Sequence, residues 1–147
     1  KLKKNRISDG TATKQDILKL VKKMQKSMSA IKKLEKKNSL QMKKRFQRYK
    51  KELDIKGKDL NMTEIFATLG KSDINEEVVR FDSHLRLVAN LIKSKNNIGK
   101  KLDFYTQEML REANTMSSKA LISEIKNEAV DMKSSIERMK EHAQNIE

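Results

Sequence analysis

The chain has 147 residues, of which 36% are hydrophobic and only 4% aromatic, and it contains no Pro, Trp or Cys. The absence of Cys excludes a disulfide partner and thiolate metal sites, and no apolar run approaches the roughly 20 residues that a membrane span requires. We therefore expect an all-α protein of long thin helices, without a membrane segment, in the reducing cytoplasm.

The net charge of +14 is concentrated in one part of the chain. Residues 1–50 hold 18 Lys and Arg against 3 Asp and Glu, whereas residues 51–147 hold 16 against 17. A segregated basic segment predicts contact with a polyanion. The alternative is a solvated helix face in a lysine-rich proteome, and composition alone leaves both open.

The N-terminal part predicts a long basic arm. Asp9 and Gly10 indicate a turn or hinge, and Thr13 is a candidate N-cap for a helix that runs to about Lys37. Asn38 either breaks this helix or is tolerated inside it, and a less regular apolar pattern then continues to about residue 54. The apolar stripe of the first helix contains Ile17, Leu20, Val21, Met24, Met28, Ile31 and Leu34.

The middle of the chain predicts a turn over residues 54–59 and a short helix over residues 61–69. Ser72 or Asp73 then caps a helix that runs to about residue 94. Its apolar residues follow heptad-type spacing: Ile74, Val78, Phe81, Leu85, Val88 and Ile92. Such a seam predicts packing against another helix.

Two further helices complete the prediction, one over residues 99–119 and one that runs to about Asn145. The last helix carries the cleanest heptad pattern: Ile122, Ile125, Ala129, Met132, Ile136, Met139, Ala143 and Ile146. A helix of this length is not stable alone, so it needs another long helix along its whole seam.

These elements predict long antiparallel helical hairpins in a coiled-coil-like helical bundle. We assign residues 1–58 to the basic arm and residues 59–147 to a C-terminal bundle, the two forming one continuous helical module. We expect any exposed seam to be covered by other subunits of a homo-oligomer.

The helix over residues 99–119 is unusual because its polar positions form two ordered bands beside an apolar stripe. The stripe contains Leu102, Tyr105, Met109, Ala113 and Met116. One band contains Lys101, Glu108, Glu112, Thr115 and Lys119. The other contains Asp103, Gln107, Arg111, Asn114 and Ser118. Amides and hydroxyls are middling or poor helix formers, so these bands indicate a binding surface.

The same helix carries the motif G-K-K-L-D-F…Q-E…R-E-A-N-T…S-K. Upstream and downstream of it lie Asp73-Ile74, Glu76-Glu77, Arg80, Ser83-His84-Leu85 and the closing Q-N-I-E. This segment resembles the C-terminal half of YicC/YloC-type proteins. The resemblance implies a bacterial endoribonuclease that needs a divalent cation, together with ring-like homo-oligomers whose expected size is a hexamer. It also implies a preceding domain of mixed α and β structure, so we expect this chain to be a C-terminal fragment.

Candidate catalytic residues lie on both of the helices that carry this motif. Glu108, Glu112 and His84 are the catalytic candidates, and with Glu77 they form the candidate metal site if the helices pack together. Carboxylates with one imidazole suit Mg²⁺ or Mn²⁺, which would activate water and stabilise the phosphate transition state. The alternative is that the acids form ordinary surface pairs and that His84 is merely packed.

Candidate RNA-binding residues form two groups. The first contains Arg80, Lys101, Arg111, Asn114, Thr115, Ser118 and Lys119, which could hold a phosphate or ribose. Arg111 and Asn114 could equally bridge subunits. The second contains Lys43, Lys44, Arg45 and Arg48 on the arm. Phe46 and Tyr49 lie among them, where base stacking is one interpretation and core packing, favoured by helical spacing, is the other.

The leading hypothesis is an RNA-processing protein, the C-terminal helical part of a cation-dependent endoribonuclease. The rival is a non-catalytic helical scaffold for oligomerisation or RNA binding. A membrane-surface helix has less support, because the apolar stripes lack Trp and follow coiled-coil spacing.

Overall fold

A computed structural model describes residues 2–55, 67, 70, 72–94 and 98–145, with side chains described from residue 13 onward except at residue 55. The described residues form helices α1 (Leu2–Ile55), α2 (Asn75–Ile92), α3 (Gly99–Lys119) and α4 (Ser123–Gln144), and none of them lies in a strand. The predicted all-α class is therefore confirmed. No helix within these ranges is long and apolar enough to cross a membrane.

Helix α1 is one continuous helix of 54 residues, roughly 80 Å long. The predicted hinge at Asp9 and Gly10 is wrong, and so is the N-cap at Thr13, because all three residues lie inside α1. A single Gly inside a helix costs only about 1 kcal/mol, and the chain has no Pro to end the helix. Asn38 is tolerated inside α1 and is buried.

The four helices form a bundle in which each helix packs against two others. Helix α1 contacts α2 and α4, and α3 contacts the same two helices. The core joins the stripe of α1 to the seams of α2, α3 and α4. From α1 it takes Ile17, Val21, Met24, Met28 and Ile31, with Leu20 and Leu34 at its edge.

The heptad seam of α4 is buried from Ile122 to Ala143, as predicted, whereas Ile146 lies outside the described residues. Helices α1 and α3 cover this seam within the chain. The prediction that this seam needs another long helix is therefore met within the chain. The coiled-coil character of the packing stays a prediction, as does assembly into an oligomer.

Asn38 marks the point where α1 leaves the described bundle. Up to this residue the stripe of α1 is buried, whereas no side chain from Ser39 to Asp54 is buried. Phe46 is half-buried and Tyr49 is exposed, so neither belongs to the described core. The predicted turn over residues 54–59 and the predicted helix over residues 61–69 lie largely outside the described residues. The division into two domains stays a prediction.

Candidate functional site

Helices α2 and α3 run antiparallel and bring several predicted site residues together. Lys119 near the end of α3 contacts Glu77 at the start of α2, and Tyr105 contacts His84 further along. The side chains of Glu77, Arg80 and His84 from α2, with Glu112 and Lys119 from α3, are called here the Glu112 cluster. Helical spacing places the first three on one face of α2, because they are separated by three and four residues.

Glu77 is the most deeply buried acid of this cluster, with only 4% of its surface exposed. Its Oε1 accepts a hydrogen bond from Lys119 Nζ at 2.7 Å, and the two side chains form an ion pair. Its Oε2 is buried without a hydrogen-bond partner. An unpaired buried carboxylate oxygen is costly, so this atom is available to a donor or ligand that enters the cluster.

Glu112 is also buried, with 6% of its surface exposed. Burial raises the pKa of the Glu112 carboxyl, and the negative charge of Glu77 raises it further, while the charges of Arg80, Arg111 and His84 lower it. Burial outweighs these cations because the ionised carboxylate loses its hydration. Glu112 therefore holds its proton more readily than an ordinary surface glutamate.

His84 is half-buried and oriented by its own helix. Its Nδ1 lies 2.8 Å from the carbonyl oxygen of Arg80. Because a carbonyl only accepts, Nδ1 carries the proton, which leaves Nε2 of the neutral ring as an acceptor. The guanidinium of Arg80 is exposed and pairs with Glu76 at 3.2 Å. The cluster thus contains an oriented imidazole, a buried carboxyl and an accessible cation.

The predicted metal site of Glu77, His84, Glu108 and Glu112 is assembled only in part. Glu108 is half-buried, one turn before Glu112 on α3. Within the described ranges, no group of three or more His, Asp or Glu side chains is arranged to hold a metal ion. The ammonium of Lys119 also occupies one oxygen of Glu77. The described residues therefore do not fit a complete cation site.

The predicted RNA-binding residues of α3 differ in their availability. Lys101, Arg111 and Asn114 are exposed. The hydroxyl of Thr115 donates a hydrogen bond to the carbonyl oxygen of Arg111 at 3.0 Å. The hydroxyl of Ser118 donates a hydrogen bond to the carbonyl oxygen of Thr115 at 3.1 Å. Lys119 is held by Glu77. Lys101, Arg111 and Asn114 are therefore the side chains of this group that are most accessible to RNA.

On the arm, Lys43, Lys44, Arg45 and Arg48 are all exposed. Arg48 and Lys44 line a shallow depression in the surface, together with Gln47, Lys50, Lys51 and Asp54. The predicted cationic surface of the arm is therefore accessible to solvent. Contact with RNA stays a prediction.

Comparison with known proteins places this architecture in a family. A family model described as "Endoribonuclease YicC-like, C-terminal" matches residues 12–147. The chain belongs to this YicC-like family. The match covers α1 from residue 12 onward and the whole of α2, α3 and α4, so the resemblance that the motif predicted is confirmed.

Two curated relatives of the YicC-like family match about half of the chain. The probable endoribonuclease YicC of Clostridioides difficile (strain 630) is 48% identical over 77 residues, which is 52% of this chain and 26% of the relative. The protein of the same name from Haemophilus influenzae (strain ATCC 51907 / DSM 11121 / KW20 / Rd) is 41% identical over 75 residues, 51% of this chain and 26% of the relative. The chain thus covers about a quarter of each relative.

Two features of this YicC-like chain escaped sequence reasoning. The sequence predicts only that Asn38 breaks α1 or is tolerated inside it, whereas its side chain links two other segments of the bundle. Phe104 lies on the exposed side of α3. The sequence contains a signal for this residue, because Phe104 belongs neither to the apolar stripe nor to a polar band of α3. Helix packing therefore does not explain why an aromatic ring stands at this position.

Proposed function

We propose that this chain is the C-terminal helical part of a cytoplasmic endoribonuclease, and that RNA phosphodiester bonds are cleaved beside the Glu112 cluster. One observation carries the proposal within the YicC-like family. A buried carboxyl with a raised pKa lies beside an oriented imidazole and an exposed guanidinium. Perturbed titratable groups of this kind are concentrated at functional sites.

These groups match the needs of phosphodiester cleavage. An attacking hydroxyl must lose a proton, and the leaving oxygen must gain one. Glu112 and the Nε2 atom of His84 are the proton-carrying groups, because burial raises the pKa of the Glu112 carboxyl and the Nδ1 contact with the Arg80 carbonyl leaves Nε2 of His84 as the acceptor. Arg80 offers charge-assisted hydrogen bonds to the phosphate oxygens as negative charge develops on them.

Dependence on Mg²⁺ or Mn²⁺ is the second part of the proposal. The unpaired Oε2 of Glu77 is the oxygen donor that this chain offers beside the proton-carrying Glu112. Hard cations bind six or more ligands, mostly oxygens. Further ligands would therefore come from RNA, from water or from protein groups outside the described residues.

The arm supplies the proposed RNA-binding surface. The four predicted RNA-binding cations, Lys43, Lys44, Arg45 and Arg48, lie on a segment of α1 where no side chain is buried. Phosphate contacts provide affinity without sequence preference, which suits an exposed basic helix. Arg111, Asn114 and Lys101 would hold RNA closer to the Glu112 cluster.

The rival proposal is a non-catalytic scaffold that binds RNA and forms a homo-oligomer, with a hexamer as the expected size. The exposed apolar side chains of Val79 and Leu87 on α2 favour it, because exposed apolar groups are suited to a subunit contact. Both proposals share RNA binding, so cleavage distinguishes them.

The test uses a labelled structured RNA incubated with this chain, in Mg²⁺ or Mn²⁺ and in chelator. Glu112→Gln should abolish cleavage, at least 100-fold, because the amide cannot exchange a proton. Glu137→Gln, which changes an exposed carboxylate on α4, should cleave as the wild type does. The same reactions should be repeated with a longer YicC-like protein that contains this chain.

Folding controls keep the result interpretable. Because the pKa of Glu112 is raised, its ionised form destabilises the folded state, and wild-type stability falls as the pH rises through that pKa. Glu112→Gln should therefore equal or exceed the wild-type melting temperature at neutral pH, and the gain should fade below about pH 4. Cleavage that survives in Glu112→Gln would refute the catalytic role. RNA binding without cleavage, in the longer protein too, would favour the scaffold.

A further inference from the structure

Phe104 on α3 is exposed although it is one of the few aromatic residues in the chain. Of its surface, 57% is accessible, and the core does not use it. Its neighbours three and four positions away on the same helix are Lys100, Lys101, Gln107 and Glu108. A phenyl ring surrounded by polar side chains has no packing role within the described bundle, so it indicates a binding role.

An aromatic strip joins Phe104 to the Glu112 cluster. The ring of Phe104 lies 5.8 Å from that of Tyr105 in an edge-on arrangement with an interplanar angle of 66°. The ring of Tyr105 lies 6.0 Å from that of His84. Tyr105 is partly buried against the core, so it holds this strip in place. The ring of Phe104 therefore lies two ring spacings from that of His84, and a planar group stacked on Phe104 would lie one spacing further.

Two cations lie on the turn of α3 that precedes Phe104. Lys100 and Lys101 are exposed, and the first turn of α3 contains no acidic residue. Cations are unfavourable at a helix N-terminus, because they face the positive end of the helix dipole. An anion bound beside them would offset this cost. The surface thus offers a ring for a flat apolar group and ammonium groups for an adjacent negative charge.

We propose that Phe104 is a stacking platform for a base of single-stranded RNA, and that Lys100 and Lys101 hold the neighbouring phosphate. Exposed aromatic rings bind unpaired bases in this way, and adjacent cations bind the backbone. The strip then places the next nucleotide along the strand toward His84 and Glu112. This inference rests on the proposed function, because it names how that site would position its RNA.

A contact with a second copy of the chain is the competing explanation. The centre of a protein interface is depleted of charged residues. Phe104 is instead surrounded by charged side chains, including Lys100, Lys101 and Glu108. The isolation of the ring and the flanking cations therefore favour a nucleotide.

The test compares Phe104→Leu with Phe104→Trp in binding to a fluorescein-labelled single-stranded RNA at fixed low salt. Phe104→Leu keeps apolar volume but loses stacking, so its Kd should rise about 5- to 150-fold. Phe104→Trp should bind as tightly as the wild type. Because the chain has no other Trp, fluorescence of the introduced indole should be quenched when RNA binds. Val130→Ala, which truncates an exposed apolar side chain on α4, is the control and should bind normally.

The outcomes separate this inference from the proposed function. A wild-type chain that binds and cleaves RNA, with Phe104→Leu equal to it in both, would overturn the stacking platform and leave the proposed function intact. A wild-type chain that does not bind RNA would overturn both. A changed molar mass of Phe104→Leu in light scattering, with unchanged RNA affinity, would assign the ring to a subunit contact and overturn the platform.

Discussion

At the scale of single residues, the ion pair between Glu77 and Lys119 is the most consequential contact. It connects the first turn of α2 to the last residue of α3, which are 42 positions apart in the chain. The side chain of Glu77 is almost fully buried, whereas that of Lys119 is 31% exposed. Lys119 therefore compensates a buried charge that water cannot reach, while itself remaining partly hydrated.

Lys119→Met should destabilise the protein by about 2–3 kcal/mol, because it leaves the carboxylate of Glu77 buried without a counter-charge. The partial exposure of Lys119 places the effect below the roughly 3–5 kcal/mol that breaking a fully buried pair costs. Urea unfolding followed by circular dichroism measures it. Lys126→Met, at an exposed position of α4, should change stability by less than about 0.5 kcal/mol.

The double variant Glu77→Leu with Lys119→Met should recover most of the loss, since it removes both charges together. A double variant no more stable than Lys119→Met would contradict the charge-compensation argument. It would instead assign the loss to packing of the lysine side chain.

At the scale of elements, Asn38 connects α1 to two other segments. Its Nδ2 donates to the carbonyl of Ser72 at 3.1 Å, just before α2, and its Oδ1 accepts from the amide of Leu121 at 2.9 Å, between α3 and α4. Asn38 is 1% exposed, so water does not replace these bonds. One amide side chain thereby satisfies polar backbone groups at two helix connections.

Asn38→Leu should destabilise the bundle by about 2–4 kcal/mol, because it leaves a backbone carbonyl and a backbone amide unsatisfied. Thermal and urea unfolding measure the loss. Hydrogen exchange should show the largest increase at the Leu121 amide. Asn127→Leu, at an exposed position of α4, is the control, and it should be neutral or slightly stabilising because Leu is the better helix former. Equal stability of the two variants would refute the connecting role of Asn38.

At the scale of the whole molecule, the packing of α1 changes at Asn38. Up to Asn38 its apolar stripe is buried in the bundle, and from Ser39 to Asp54 no side chain is buried, whereas exposed cations lie on both parts. The Glu112 cluster lies instead between α2 and α3. A bound nucleic acid would therefore contact a basic surface on α1 and the acid–base groups of the Glu112 cluster on α2 and α3.

Changing Lys43, Lys44, Arg45 and Arg48 together to Gln should weaken RNA binding and its dependence on salt. Each lost contact with single-stranded RNA lowers the slope of log K against log salt by about 0.7, so the slope should fall by up to about 3. Binding titrations at four salt concentrations measure this slope. The control changes Lys19, Lys22, Lys26 and Lys33, also exposed on α1, to Gln. Equal slopes for the two variants would show that total charge matters and that the part of α1 beyond Asn38 has no special role.

The sequence by itself determined the class and the faces of the helices. Absence of Pro and heptad spacing predicted long helices, α3 was predicted with the observed bounds, and the seams of α2 and α4 are buried as their periodicity indicated. These properties are local, because backbone preference and the repeat of apolar residues act within a few turns. The motif that carries the family resemblance is also a property of the sequence itself, and the family match confirms this resemblance.

Tertiary structure decided which faces meet. The sequence placed Lys119 among RNA ligands, whereas packing of α2 on α3 pairs it with Glu77. It suggested a hinge at Gly10, whereas α1 continues through it. The sequence predicts that the seam of α4 needs another long helix, and the tertiary structure shows that α1 and α3 supply the cover within the chain. Helical periodicity fixes the direction of each side chain around its own axis, but only the packing of complete helices decides which side chain it faces.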